Sequence, residues 1–197
     1  SVINSTSPTS VHRYKFKQTL KMIGLEKFHR DFYAELISWV TTEEQLMQFA
    51  GPAFNFPLTS EQLDKSLSDK NRFAFRVVND RTNVSIGHSE IYLTDQSAYL
   101  GRILIGDVEQ RGKGLGQQIV NLLLNFIFFD LYKTKVELNV FDWNIGAIKC
   151  YEKVGFVINA DKKSERKIKN EIWTAINMTI DKSKWQDLQA EKETKTS

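Results

Sequence analysis

The chain has 197 residues, of which 41% are hydrophobic and 12% aromatic, and its formal net charge at pH 7 is +3. These values are typical of one compact domain and exclude a disordered chain, while so small a charge does not require nucleic acid as a partner. The single cysteine, Cys150, excludes an intramolecular disulfide framework and cannot by itself build a structural zinc site, so we expect no metal.

The sequence shows neither a secretion signal nor a membrane span. The first ten residues are polar and lack the apolar core that a secretory signal needs. The most apolar run, at 119–132, is interrupted by Asn121, Asn125 and Asp130 and falls short of the roughly 20 residues that a span requires. Together with the single cysteine, this predicts a cytoplasmic protein without a membrane partner.

Composition divides the chain into three parts. We expect residues 1–18 to be a flexible extension, 19–186 to be a single domain, and 187–197 to be a polar tail that frays. The extension carries a short basic and aromatic patch at 12–17, so a partner-binding arm is the alternative to a mobile segment.

In the first part of the domain, apolar spacing and capping residues predict one strand and three helices. Thr42 is typical of an N-cap, with Gln45 completing a capping box, and the prolines of an aromatic loop end that helix. The predicted elements are a strand at 19–25, an amphipathic helix at 26–40, a short helix from Thr42, the loop at 51–57, and a helix from Thr59 to about 67.

A meander of antiparallel strands is predicted next, at 73–79, 84–93 and 98–108. If the second turn pairs Leu93 with Ala98, Glu90 lies opposite Gly101, where the missing side chain leaves room for substrate or water. Desolvation raises the pKa of a partly buried carboxylate, which would suit a general base. The alternatives are a carboxylate at the rim, or a hydrogen-bonded pair of His88 and Glu90 with a structural role.

A glycine-rich turn then joins the last strand of the meander to a long apolar helix, with glycines at 112, 114 and 116. So little side-chain bulk before a helix N-terminus is typical of a phosphate cradle. The spacing fits neither the dinucleotide fingerprint, because Gln117 stands where the third glycine belongs, nor the nucleotide-hydrolase loop, because Lys113 is followed by Gly114. A loose connection without a ligand is the alternative.

The second half alternates helices and strands. A helix at 114–132 between two strands favours a parallel strand pair, so the sheet should be mixed. The remaining predicted elements are strands at 136–141, 156–158 and 171–180, a helix that Gly155 ends, and a basic loop at 162–169.

Two segments resemble signatures of the GNAT superfamily of acyl-CoA-dependent N-acyltransferases. The first is Arg111-Gly112-Lys113-Gly114-Leu115-Gly116, and the second runs from Asn144 through Ala147 and Tyr151 to Gly155-Phe156. The resemblance implies an α/β (α+β) GNAT fold: a mixed, mostly antiparallel central sheet of about six or seven strands, helices on both faces, and a splayed strand pair that binds acyl-CoA. Trp39, Gly51-Pro52 and the ending from Trp173 to Trp185 look similar to the branch of ribosomal-protein N-terminal and spermidine acetyltransferases.

The resemblance also implies the site residues. The glycine turn would hold the pyrophosphate of acetyl-CoA, the strand end before it would bond the pantetheine arm, and Tyr151 would donate a proton to the departing thiolate. The cofactor-binding positions implied are Ile105, Gly106, Val108, Arg111, Gly112, Lys113, Gly114, Leu115, Gly116, Asn144 and Ala147.

These residues predict direct transfer of an acetyl group to a primary amine of a small molecule or a peptide N-terminus. Glu90 is the first candidate base, Asp107 the second, and water the third, while an N–H near Val108 would stabilise the oxyanion. Cys150 is a weak alternative as an acyl-carrying nucleophile. Carboxylates at Glu90, Asp107 and Glu137 would attract a cationic amine, with aminoglycosides among the possible acceptors.

A catalytically silent acyl-CoA sensor is the competing function class, although Tyr151 and Asn144 argue against it. Small enzymes are commonly dimers, so a homodimer is possible.

Overall fold

The computed structural model describes Arg13–Tyr14 and residues 23–194. The expected N-terminal extension, 1–18, therefore lies outside the described residues except for Arg13–Tyr14. These two residues form a short strand that pairs antiparallel with Leu25 and Glu26.

One mixed sheet forms the centre of the molecule, in the order β1-β2-β3-β4-β5-β6-β8-β7. All neighbouring strands are antiparallel except β5 and β6, which are parallel, so the predicted mixed and mostly antiparallel sheet is confirmed. Since β1 has only two residues, seven longer strands make up the sheet. The strands are β1 Arg13–Tyr14, β2 Ile23–Lys27, β3 Arg72–Asn79, β4 Ser85–Leu93, β5 Ala98–Ile105, β6 Lys135–Phe141, β7 Val157–Ile168 and β8 Glu171–Asp181.

Helices cover both faces of the sheet. The largest helix, α4, buries Ile119, Leu123 and Ile127 against one face, because its apolar residues recur around most of its circumference. The first three helices form a second apolar cluster on the other face, where they contact Ala74 and Leu104. The helices are α1 Tyr33–Ser38, α2 Glu43–Ala50, α3 Ser60–Leu67, α4 Leu115–Phe129, α5 Ile145–Val154 and α6 Lys182–Thr194, with 3-10 turns at Arg30–Phe32, Gly51–Ala53 and Val108–Gln110.

The predicted helix at 26–40 is wrong in its first part. Ile23–Lys27 is a strand paired with β3, and Phe28 N continues this pairing with a bond to the backbone oxygen of Ala74. The α-helix itself covers only Tyr33–Ser38. Ladder bonds to a neighbouring strand thus override the helical spacing of the apolar residues, which a single sequence cannot show.

The helix caps are confirmed with one difference. Thr42 accepts a bond from Gln45 N and Thr59 accepts one from Gln62 N, so both threonines are N-caps. The side-chain oxygen of Gln45 accepts from Thr41 N, one residue before the position that a capping box requires.

One expectation for the C-terminal part is wrong. The basic segment 162–169 is not a loop, because most of it belongs to β7, which pairs with β8 on both sides of a bulge between Asn159 and Lys163. The expected polar tail from 187 is helical as far as Thr194, where the described residues end. Trp185 is 6% exposed and donates to Asn121, which fixes the helix to α4.

Among the described residues, no helix has the length and apolar character needed to cross a membrane.

Candidate active site

The candidate site is a cavity of about 1000 Å³ that opens where β5 and β6 diverge. The two strands pair only from Ala98–Leu100 to Val136–Leu138, and beyond Leu100 the backbone of β5 leaves its neighbour. A bulge against β4 accompanies this divergence and holds Arg102 at a φ of +51°. The predicted splayed strand pair is thus confirmed, and it leaves main-chain groups facing the cavity.

The glycine turn lies at the rim of this cavity, before α4. Gly112 and Gly114 have φ values of +75° and +79°, and a Cβ added to either would meet nothing within 4 Å. No side chain caps α4, whose first backbone bond runs from Gln118 N to the oxygen of Gly114. The N–H groups at this helix start and the helix dipole therefore fit an anionic group such as a pyrophosphate.

Arg111 ties the turn to the strand before it. Its Nε and Nη2 donate to the backbone oxygen of Ile105 at 3.1 and 2.9 Å. The guanidinium thus holds the end of β5 in place and adds a positive charge at the cavity rim.

Asn144 and Ala147 lie at the start of α5. The side-chain oxygen of Asn144 accepts from Ala147 N at 3.2 Å, so Asn144 is the N-cap of this helix as well as a residue of the cavity wall.

Tyr151 also lies on α5, lines the cavity and contacts the edge of Phe156, with ring centroids 6.0 Å apart. Burial raises the pKa of its phenol well above the ordinary value, with a further small effect of Cys150. Tyr151 therefore keeps its proton at neutral pH, as a proton donor must. Burial also raises the pKa of the Cys150 thiol, which is the opposite of what an activated nucleophile needs.

Glu90 lies opposite Gly101, as predicted from the turn that pairs Leu93 with Ala98. It is 1% exposed, and its carboxylate accepts from Arg72 Nη1 at 2.7 Å and from Arg102 Nη1 at 3.0 Å. His88 Nε2 lies 3.1 Å from its other oxygen.

The expectation of a raised Glu90 pKa is wrong. Burial alone would raise it, but the hydrogen bond from His88 and the charges of His88, Arg102 and Arg72 outweigh burial and lower the pKa to about 2. A carboxylate so strongly stabilised in its charged form is a poor proton acceptor.

Five other predicted site residues lie outside the lining of the cavity. Gly106 packs against Trp39, whose ring leaves no room for a Cβ, and Leu115 is in the core at 6% exposed. Asp107 accepts from Glu109 N at 2.9 Å and so caps the 3-10 turn that begins at Val108. The strand that was expected to reach 108 ends at Ile105, before this turn. The five residues are Gly106, Asp107, Val108, Lys113 and Leu115; their roles stay predictions.

Several lining residues were missed by reasoning from the sequence. Tyr92 and Tyr99 are cross-strand neighbours, and Arg72 lies opposite Tyr92 on the other side. Side chains alternate between the two faces of a sheet, so both tyrosines lie on the same face as Glu90. The predicted register of the meander could therefore have identified both as lining residues. Nothing local marks Trp39 or Arg166, which reach the cavity from distant segments.

Comparison with known proteins shows the family. Residues 23–157 match the family described as acetyltransferase (GNAT) domain, and this match covers more than half of the chain. The protein therefore belongs to the GNAT acetyltransferase family.

Among curated relatives, aminoglycoside N(6')-acetyltransferase type 1 of Klebsiella pneumoniae is 42% identical over 53 residues, which is 27% of this chain and 26% of the relative. The kanamycin resistance protein of Rhizobium radiobacter is 40% identical over 52 residues, which is 26% of this chain and 48% of that protein. The chain thus spans only about a quarter to a half of the length of these two relatives.

Solved structures agree in fold. Spermidine N-acetyltransferase from Vibrio cholerae, in complex with CoA and spermine, superposes with a TM-score of 0.70 at 24% identity, over 84% of this chain and 98% of that chain. An aminoglycoside acetyltransferase in complex with coenzyme A superposes with a TM-score of 0.66 at 19% identity, over 85% of this chain and 99% of that chain.

Proposed function

We propose that the protein is an acetyl-CoA-dependent N-acetyltransferase that transfers the acetyl group directly to a primary amine of a small molecule or a peptide N-terminus. The observation that carries this proposal is the cavity between the diverging β5 and β6, with the glycine turn at its rim and Tyr151 in its wall. Family membership supports the same class of reaction. The two solved neighbours that hold CoA, one of them with spermine, support the same pair of ligand types.

Acetyl-CoA, when bound, supplies a thioester whose acetyl carbon is open to attack. The backbone N–H groups of Gly112–Gly116 would hold its pyrophosphate, helped by the charge of Arg111. The main chain of β5 beyond Leu100, unpaired with β6, would bond the amides of the pantetheine arm, with Asn144 beside it.

Two protons move during the transfer. The amine nitrogen forms a bond to the acetyl carbon and the carbon–sulfur bond breaks, while the amine loses a proton and the sulfur gains one from Tyr151. Glu90 is bound to two arginines and Asp107 lies outside the cavity lining. We therefore assign the removal of the amine proton to water, the third of the predicted bases.

Thioester consumption tests the proposal. Purified protein is incubated with acetyl-CoA and a panel of polyamines, amino acids, aminoglycosides and peptides with free N-termini, and free thiol and acetylated product are measured. We expect an amine-dependent release of CoA. Binding of acetyl-CoA without turnover on any member would contradict transfer and support the sensor function.

A further inference from the structure

The charged side chains that line the cavity are mostly positive. Among the described residues, seven charged side chains line it, and Glu90 is the only carboxylate. The other six are cations: Arg72, Arg102, Arg111, Lys149, Lys153 and Arg166.

Three of these cations belong to the end of the cavity proposed for the co-substrate. Arg111 lies in the glycine turn, and Lys149 and Lys153 lie on α5, which packs against the start of α4 through Cys150 and Gly116. The phosphates of acetyl-CoA account for positive charge at this end. The charged lining residues that remain are Arg72, Arg102, Arg166 and Glu90, and they are taken as the acceptor end.

Glu90 offers no free charge to an acceptor. Its two oxygens already receive bonds from Arg72 and Arg102, and two guanidinium groups against one carboxylate leave an excess positive charge. The Nε of Arg72 is buried and has no hydrogen-bond partner among the described residues. Gly101, opposite Glu90, leaves open space, because an added Cβ there would meet nothing within 4 Å.

Arg166 adds a further cation that no carboxylate balances. Within the part of the chain that the structure describes, it forms no salt bridge, and its Nη1 donates to the backbone oxygen of Glu165 at 2.7 Å. It lies on β7 opposite Trp173 of β8.

Other carboxylates do not change this balance. Glu137, expected to attract a cation, is 4% exposed and accepts from Lys162 Nζ at 2.7 Å. Asp107 accepts from Glu109 N and does not line the cavity. The residues outside the described ranges, 1–12, 15–22 and 195–197, contain no Asp or Glu, so they cannot supply a side-chain carboxylate.

We propose that the acceptor is a primary amine that also carries a carboxylate, and that this carboxylate lies at the positively charged acceptor end formed by Arg72, Arg102 and Arg166. The proposal rests on the acetyltransferase function proposed above and names its substrate class. Guanidinium groups bind carboxylates well through paired N–H donors, whereas a second ammonium group would face like charges. Polyamines and aminoglycosides, which carry several ammonium groups, are therefore disfavoured as acceptors.

A matched pair of acceptors tests the sign of the charge. 5-Aminopentanoate and 1,5-diaminopentane have the same number of carbon atoms. When one primary amine of either compound reacts, the far end is a carboxylate in the first and the second amine, as an ammonium group, in the other. We expect kcat/KM to be at least about tenfold higher for 5-aminopentanoate. Their affinities for protein saturated with CoA are also measured by calorimetry, so that the order is obtained independently of turnover.

A charge reversal locates the effect. Arg166→Glu should lower both kcat/KM and affinity for 5-aminopentanoate about tenfold and reduce or reverse the preference over the diamine. Lys167→Glu is the matched control, since it makes the same change in net charge on the next residue of β7, which is exposed and does not line the cavity. The melting temperature of each variant is measured to verify folding.

The possible failures are distinguishable. Equal or better use or binding of 1,5-diaminopentane, failure of both compounds to bind, or equal effects of the two variants would overturn the acceptor assignment. If acetyl-CoA also fails to raise the melting temperature and no amine consumes the thioester, the proposed function itself fails.

Discussion

Burial acts differently on the two ionisable groups that matter most in the cavity. Tyr151 has few polar neighbours, so burial raises its pKa and the phenol keeps its proton. Glu90 has His88, Arg72 and Arg102 around it, so it stays charged despite being buried. The first environment suits a proton donor, and the second suits a fixed anion that orients two arginines.

Tyr151→Phe tests the proton donor. The ring and its contact with Phe156 remain, so we expect nearly unchanged binding of acetyl-CoA and a kcat lowered on the order of a hundredfold. Steady-state kinetics and calorimetry with acetyl-CoA measure the two quantities. An unchanged kcat would remove Tyr151 from the mechanism.

Glu90→Gln tests the fixed anion through stability. Leaving two partly buried arginines without their carboxylate should cost about 3 kcal/mol at neutral pH. Because the pKa in the folded protein, about 2, lies below that of the unfolded chain, about 4.3, the carboxylate's contribution is complete above pH 4.3 and is lost as the pH falls toward 2. Urea unfolding from pH 7 to pH 3 should therefore show a difference from wild type that shrinks on acidification.

Glu137→Gln is a suitable control for this measurement. Its partner Lys162 has a side chain that is 50% exposed and can return to water, so we expect a smaller loss, about 1 kcal/mol or less.

If Glu90 is not the base, the rise of kcat/KM with pH should persist in Glu90→Gln. Loss of that rise in folded Glu90→Gln would return the base role to Glu90.

At the scale of single elements, the glycine turn and the splayed strands form different parts of the site. The turn presents the N-terminal N–H groups of α4, because Gly112 and Gly114 adopt left-handed conformations that other residues avoid. The bulge at Arg102 interrupts the pairing of β5 with β4 just after β5 leaves β6 at Leu100. The bulge lies within β5, and the glycine turn follows β5 and the 3-10 turn Val108–Gln110, so this short stretch of chain shapes both halves of the cavity.

Gly114→Ala tests the turn. At a φ of +79°, alanine should cost roughly 1–2 kcal/mol of stability and weaken acetyl-CoA binding by disturbing the N–H groups. Thermal melting and calorimetry measure these effects. In the control, Gly146→Ala in the first turn of α5, an added Cβ meets nothing within 4 Å, and helix propensity should raise stability by about 0.5–1 kcal/mol. Equal melting temperatures for the two variants would contradict the strain argument.

At the scale of the whole molecule, the site depends on segments far apart in sequence. Trp39 at the C-terminal cap of α1, Arg72 from β3 and Arg166 from β7 all reach one cavity, while α4 and α5 supply its other wall. Ligand binding in such a cavity should stabilise the entire domain, since its walls come from most of the fold.

Acetyl-CoA should therefore raise the melting temperature. At a concentration 100 times Kd, binding contributes about 2.7 kcal/mol, which corresponds to roughly 5–10 °C for a domain of this size. Scanning fluorimetry over a series of concentrations measures the shift. Pantetheine, which lacks the pyrophosphate, is the control. No shift at saturating concentration would contradict the cofactor proposal.

The sequence alone determined the features that depend on local chemistry. Glycine spacing before an apolar helix, the Asn144 to Phe156 segment, the caps at Thr42 and Thr59, and the turn that places Glu90 opposite Gly101 are all set by neighbours in the chain. Family and sheet type followed from these features.

Only the tertiary structure decided the features that depend on distant partners. β2 replaces part of a predicted helix because β3 offers it backbone bonds, and α6 persists because Trp185 is buried against α4. The charge state of Glu90 follows from His88 on its own strand together with Arg102 and Arg72, which flank it from neighbouring strands. Burial and long-range pairing set these outcomes, and neither can be read from a residue's own neighbours in sequence.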